Sequence, residues 1–95
     1  MQTIRERFAK ALRKVRTARG LTQDDFWEVS GRTYIGALEQ GTKSPTLVKL
    51  EELAGVMQVH PVTLLAAAYV GKKGDLEKLL ETVRREVTEI NQVKA

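Results

Sequence analysis

The chain has no cysteine among its 95 residues, which excludes disulfides and thiolate metal sites. Its one histidine, His60, stands before Pro61 with no second nitrogen or sulfur ligand to share a metal. No apolar run is long enough to span a bilayer, and the opening MQTIRERFAKALRK is charged throughout, unlike the apolar centre of a signal peptide. The expectation is a soluble intracellular protein with no membrane partner. Strand-type alternation, internal repeats and low-complexity tracts are also missing.

Catalytic constellations are equally scarce. The carboxylate pairs Asp24/Asp25 and Glu51/Glu52 are adjacent in sequence, so each splits across a helix surface. They read as solvated charges near helix starts, not as acid–base couples. The segment from Gly36 to Ser44 differs from a phosphate loop by one inserted residue, but that loop needs a strand before it and a helix after its lysine. Gly36 falls inside a helix instead. Neither an enzyme nor a cofactor is expected.

What the chain does have is unevenly placed charge. The formal net charge is +4, but residues 1–20 hold Arg5, Arg7, Lys10, Arg13, Lys14, Arg16 and Arg19 against Glu6 alone. Residues 74–95 carry four basic and five acidic side chains. A basic front and a near-neutral end fit an anionic partner for one part of the chain, or simply a solvated helix face.

Ninety-five residues suit one domain with an appendage. Ile4, Phe8, Ala11, Leu12 and Val15 recur at helical spacing and predict a first helix ending near Arg19, with Gly20 as its stop. Thr22 is a natural N-cap for a second helix, with Asp25 three residues on as the return half of a capping box. Phe26 and Val29 are expected inside, and Ser30–Gly31 breaks the helix. A third helix follows over about 32–40, with Ile35 and Leu38 inward and Gly41 at its end. Thr46 caps a fourth helix with the apolar stripe Leu47, Leu50, Leu53, Ala54 and Met57. Pro61 sits in the first turn of a fifth, where Val62, Leu64, Leu65, Ala68 and Tyr69 fill the faces. Gly71–Gly74 is a basic hinge, and Asp75 is expected to cap the last helix. There Leu76, Leu80, Val83, Val87 and Ile90 form a heptad stripe of a little over two repeats. The fold class is therefore all-α: a five-helix bundle over residues 1–70, then a hinge and C-terminal amphipathic helix over 71–95.

The segments LTQ at 21–23, YIGALEQG at 34–41 and SPT at 44–46, with the apolar helix after them, resemble the lambda-repressor-like (Xre) helix-turn-helix family. The resemblance covers roughly residues 5–70. It implies that the third helix reads the major groove of double-stranded DNA and that Gln23, beside Thr22 at the start of the supporting helix, contacts a phosphate or a base-edge residue. It places Arg32, Thr33, Gly36 and Ala37 on the groove side, and Lys43 and Ser44 against the DNA backbone. Arg16 and Glu39 match a structural pair. Two departures stand out: the turn between the second and third helices is about two residues shorter, and Trp27 occupies a position the family gives to a small residue. The indole is expected to need a pocket or an altered helix crossing.

The residues themselves leave alternatives open. Arg32 forms a bidentate bond to guanine, worth about 1–3 kcal/mol of discrimination, clamps a phosphate, or is only a surface charge at the helix start. Thr33 is a DNA contact, a helix cap, or both. Tyr34 reaches a phosphate through its hydroxyl or packs half-buried. Gln23 and Gln40 can each donate an amide hydrogen to a phosphate. A solvent-facing Gly36 costs about 1 kcal/mol in a helix, so it implies a surface close by, while Ala37 can meet a thymine methyl. The last helix packs on its own chain, pairs with a second copy through Leu76, Leu80, Val83, Val87 and Ile90, or receives another protein.

The function expected from all this is a cytoplasmic, nucleoid-associated regulator of bacterial or phage type, a homodimeric repressor reading DNA in sequence. The alternative is an antitoxin-like interaction module that binds a partner protein through its last helix and also binds its own promoter.

Overall fold

The computed structural model describes residues 2–93, and these contain helices and no strand. The order is α1 (Ile4–Ala18), the 3-10 turn η1 (Gln23–Phe26), α2 (Arg32–Glu39), α3 (Leu47–Met57), α4 (Pro61–Tyr69) and α5 (Asp75–Asn91). No helix among the described residues is long and apolar enough to cross a membrane.

Local chemistry sets the ends of these elements. Thr3 and Glu6 form a reciprocal capping box at the start of α1, with Glu6 N–H donating to Thr3 Oγ1 at 3.2 Å. Thr46 caps α3 by accepting the Lys49 amide at 3.1 Å. His60 caps α4, its Nδ1 accepting the Val62 amide at 3.0 Å, so the lone histidine has a structural post. Gly20 and Gly41 adopt φ of +71° and +78° and close α1 and α2 with paired reverse bonds, such as Gly41 N–H to Leu38 O and Thr42 N–H to Ala37 O.

The core joins all four bundle helices and η1. Phe8, Ala11 and Leu12 of α1 meet Phe26, Ile35, Leu38, Leu50, Leu53, Met57, Leu64 and Ala68. Most of these are the positions that the apolar spacing picks out. α1 crosses both α4 and α2, α3 packs on α4 and η1, and α2 is held by α1 and η1.

Several expectations are corrected. The second helix is a single 3-10 turn, bonded by Asp25 N–H to Thr22 O, Trp27 N–H to Asp24 O and Val29 N–H to Phe26 O. The short spacing leaves too few residues for a longer helix and its turn, and 3-10 winding, which rises about 2.0 Å per residue, spans the gap with less chain. The expected N-cap and its return bond are kept: the Thr22 amide donates to Asp25 Oδ2 at 2.7 Å, and its hydroxyl donates to the same oxygen at 3.1 Å. Trp27 needs no pocket: Phe26 takes the interior, and Trp27 is left 74 % exposed. Leu47 lies outside its expected stripe at 81 % exposure, because it opens α3 beyond the reach of the core. Asp75 is the first residue of α5, not its cap; Gly74 holds that place, and the Asp75 carboxylate accepts the Lys72 amide at 3.0 Å instead.

α5 differs from the rest. It meets the bundle through α4, with Asp75, Leu79 and Thr82 half-buried and no residue fully buried. The stripe Leu76, Leu80, Val83, Val87 and Ile90 lies beside that contact, 44 to 68 % exposed.

Candidate nucleic-acid interface

α2 is anchored from beneath by one ionic network. Arg16 Nε donates to Glu39 Oε2 at 2.6 Å and Arg16 Nη2 to Glu39 Oε1 at 2.9 Å, a two-bond fork from α1 to the end of α2. Arg16 Nη1 adds a bond to Leu21 O at 2.9 Å, and Gln23 Nε2 donates to Glu39 Oε1 at 3.2 Å. Its hydrogen bonds to Glu39 hold the Arg16 guanidinium above its ordinary pKa; burial opposes the rise and the carboxylate's charge adds to it. The pair ties α1, η1 and α2 into one unit, as the resemblance implied for Arg16 and Glu39. Gln23 is drawn into the same network, with one amide hydrogen already engaged.

The outer side of α2 is open. Arg32 and Thr33 are exposed at its start. Arg32 meets Asp24 at 3.4 Å, with both side chains largely in solvent. Such an exposed pair is worth about 0.2–1 kcal/mol, so Arg32 is released at little cost. Of the four α-helices of the bundle, α2 alone has no side-chain N-cap, because Gly31 holds that position. Its first turn holds no acidic residue of its own and its first amides have no side-chain cap, so once Arg32 leaves Asp24 this end is suited to a phosphate oxygen.

Gly36 and Ala37 are half-buried on the same helix. A Cβ at Gly36 would meet only Gln23 Oε1, at 4.0 Å, which is ordinary contact. Nothing within the chain therefore requires glycine at 36. Gln40 is exposed at the C-terminal cap of α2.

The loop after α2 gathers more cations than the sequence suggested. Lys43 lies over the Tyr34 ring at 5.8 Å from its centre, and Lys49 over the same ring at 6.0 Å. Tyr34 is half-buried against the core, so packing is at least part of its role. Lys49, which sequence reasoning passed over, also donates to Val29 O and pairs with Glu52 at 2.9 Å. Ser44 Oγ accepts a bond from Arg5 Nε at 3.2 Å, which brings the start of α1 beside this loop. Arg5 stood only as one charge in a basic run; its junction with a residue 39 positions away had no local signal.

Among the described residues, no three histidine, cysteine or acidic side chains converge to hold a metal ion. The surface thus combines an uncapped helix start, a removable arginine, small residues on a helix side, and Arg5, Lys43 and Ser44 at one end. It can meet a phosphate backbone at several points and present short side chains to base edges.

A family model described as helix-turn-helix matches residues 12–64, more than half of the chain. No curated protein matches the sequence. Among solved structures, the chain is similar to the crystal structure of the clp gene regulator ClgR from Corynebacterium glutamicum. The TM-score is 0.68 at 21 % identity, over 94 % of this chain and 90 % of that one. At that identity the likeness concerns the fold, and its coverage extends into α5.

Proposed function

The chain belongs to the lambda-repressor-like (Xre) helix-turn-helix family, and from that premise we propose that it is a sequence-reading transcriptional regulator, a homodimer that represses by occluding a promoter. α2 enters the major groove. Arg32 reads a guanine edge, Thr33 and the free amides of α2 meet a phosphate, and Gly36 and Ala37 allow the helix to come close. Thr22, Gln23, Tyr34 and Gln40 line the rim, while Lys43, Ser44 and Arg5 hold the backbone at the far end.

The observation that carries this reading is the contrast between the two sides of α2. Its inner side is locked by Ile35, Leu38 and the Arg16–Glu39 fork, and its outer side is at most half-buried, lacks a side-chain cap and is flanked by cations. A rigid element with an open face is what groove recognition needs.

The homodimer rests on α5. A 17-residue helix with a polar remainder is marginal by itself, and its apolar stripe is only partly covered within the chain, 44 to 68 % exposed. Pairing through Leu76, Leu80, Val83, Val87 and Ile90 would set two copies of α2 about 34 Å apart, one turn of DNA. The same stripe also suits a different protein, which is the antitoxin-like reading.

Selection from a randomised duplex pool at two salt concentrations tests the proposal. The expected result is a palindromic site with half-sites one turn apart. Weak binding that ignores sequence and vanishes with salt would overturn it. Removing residues 75–95 separates the α5 readings: loss of both self-association and tight binding supports the homodimer, and retention of both points to a foreign partner.

A further inference from the structure

The basic residues of α1 do not form one surface. At 100° per residue, Arg7, Lys10 and Lys14 share one stripe, turned more than a quarter-turn away from Ala9 and Arg16. Ala9 faces Gly41 and Arg16 faces Glu39, so that other side belongs to α2 and its loop. The Arg7 stripe instead borders the end of α4. Between them runs an open trough of about 450 Å³, lined by Gln2, Arg7, Lys10, Lys14, Tyr69 and Gly71 among others. Its volume falls in the range of small-molecule sites, about 300–1,000 Å³.

Three features of this trough point to an anion. No acidic side chain lines it, and Arg7, Lys10 and Lys14 form no salt bridge among the described residues, so their charge is not cancelled locally. The Arg7 guanidinium is stacked on Tyr69, 5.3 Å from the ring centre. Its Nε is shielded from solvent and has no hydrogen-bond partner. A cation desolvated on one edge and fixed by an aromatic ring exerts a stronger field than a free surface lysine, and its terminal amines keep the fork geometry that matches oxyanions.

We propose that this trough binds a small molecule carrying two or more phosphate or carboxylate groups. Arg7 clamps one group, and Lys10 and Lys14 neutralise the next. The site lies against the hinge at Gly71 and is separate from the α2 surface, so it stands whether or not α2 reads DNA.

Calorimetric titration of the full chain with inorganic diphosphate and with citrate, at constant ionic strength, tests this. At least one of the two is expected to bind saturably at or below millimolar concentration. Tighter diphosphate binding assigns a phosphorylated ligand, and tighter citrate binding a polycarboxylate. The double variant Lys10→Gln/Lys14→Gln, at two exposed positions, should weaken that binding at least about tenfold, and Arg7→Lys should weaken it by a similar factor despite keeping the charge. Lys43→Gln should leave it unchanged. Absence of saturable binding, or equal binding by the double variant, would overturn the site. So would a loss of duplex affinity in the double variant as large as that in Lys43→Gln, because the trough would then belong to the DNA footprint.

Discussion

The bundle and α5 distribute their apolar residues in opposite ways. Phe26, Leu12, Ile35, Leu38, Leu53, Met57 and Leu64 are fully enclosed, and every bundle helix contributes to that interior. α5 is longer than any of them yet encloses nothing, and its five stripe residues stand beside its one contact with α4. Both regions have the helical periodicity of an amphipathic segment. Periodicity therefore identifies a face that must be covered without saying by what. In the bundle the cover is the same chain, while in α5 the proposed cover is a second copy.

The largest effects should mark that boundary. Leu53→Ala removes a fully enclosed side chain and is expected to cost about 2–5 kcal/mol in urea unfolding. Val87→Ala on α5 should change the unfolding of the dilute monomer by less than about 0.5 kcal/mol. Comparable losses in the two variants would mean that α5 is part of the cooperative core.

Glu39→Ala comes next. It strips the partner from the Arg16 guanidinium, whose side chain is only 12 % exposed, and should cost about 3 kcal/mol. Glu39→Gln, which keeps an acceptor, should lose less. A near-neutral Glu39→Ala would show that α2 is held by Ile35 and Leu38 alone.

Val87→Asp places a charge in the α5 stripe. Sedimentation should show it monomeric where the parent chain self-associates, with the unfolding of the bundle unchanged. Persistent self-association would remove α5 from the interface. The smallest effect is expected at Trp27, which is exposed at the end of η1: Trp27→Ala should alter stability by less than about 0.5 kcal/mol. As the chain's only tryptophan, it should also show solvent-exposed emission in the free protein.

Much of this division can be read in the residues. The spacing of Phe8, Leu12, Ile35, Leu38, Leu53 and Leu64 marks the inward faces, Gly20 and Gly41 mark two helix ends, and Thr46 marks a start. The motif segments locate α2 and pair Arg16 with Glu39. Other features had no local signal. That η1 is a 3-10 turn follows from how few residues must span the distance between Leu21 and Arg32, a length constraint and not a propensity. Aspartate favours the cap position, but the left-handed Gly74 fills it and Asp75 accepts the Gly71 and Lys72 amides instead. In the candidate interface, Arg5 meets Ser44 and Lys49 joins Lys43 over Tyr34 through contacts that only the assembled bundle creates. The separation of Arg5 from Arg7, Lys10 and Lys14 appears once α2 and α4 take opposite flanks of α1.

The central claim is that the open face of α2 divides its work between reading and gripping. Its most direct test compares Arg32→Ala with Lys43→Ala on a selected duplex and a scrambled one across a salt series. Arg32→Ala should lose affinity for the selected duplex alone, by about 1–3 kcal/mol. Lys43→Ala should weaken both duplexes alike and lower the salt slope by about one. Equal loss of sequence preference in the two variants, or no loss in either, would contradict the account.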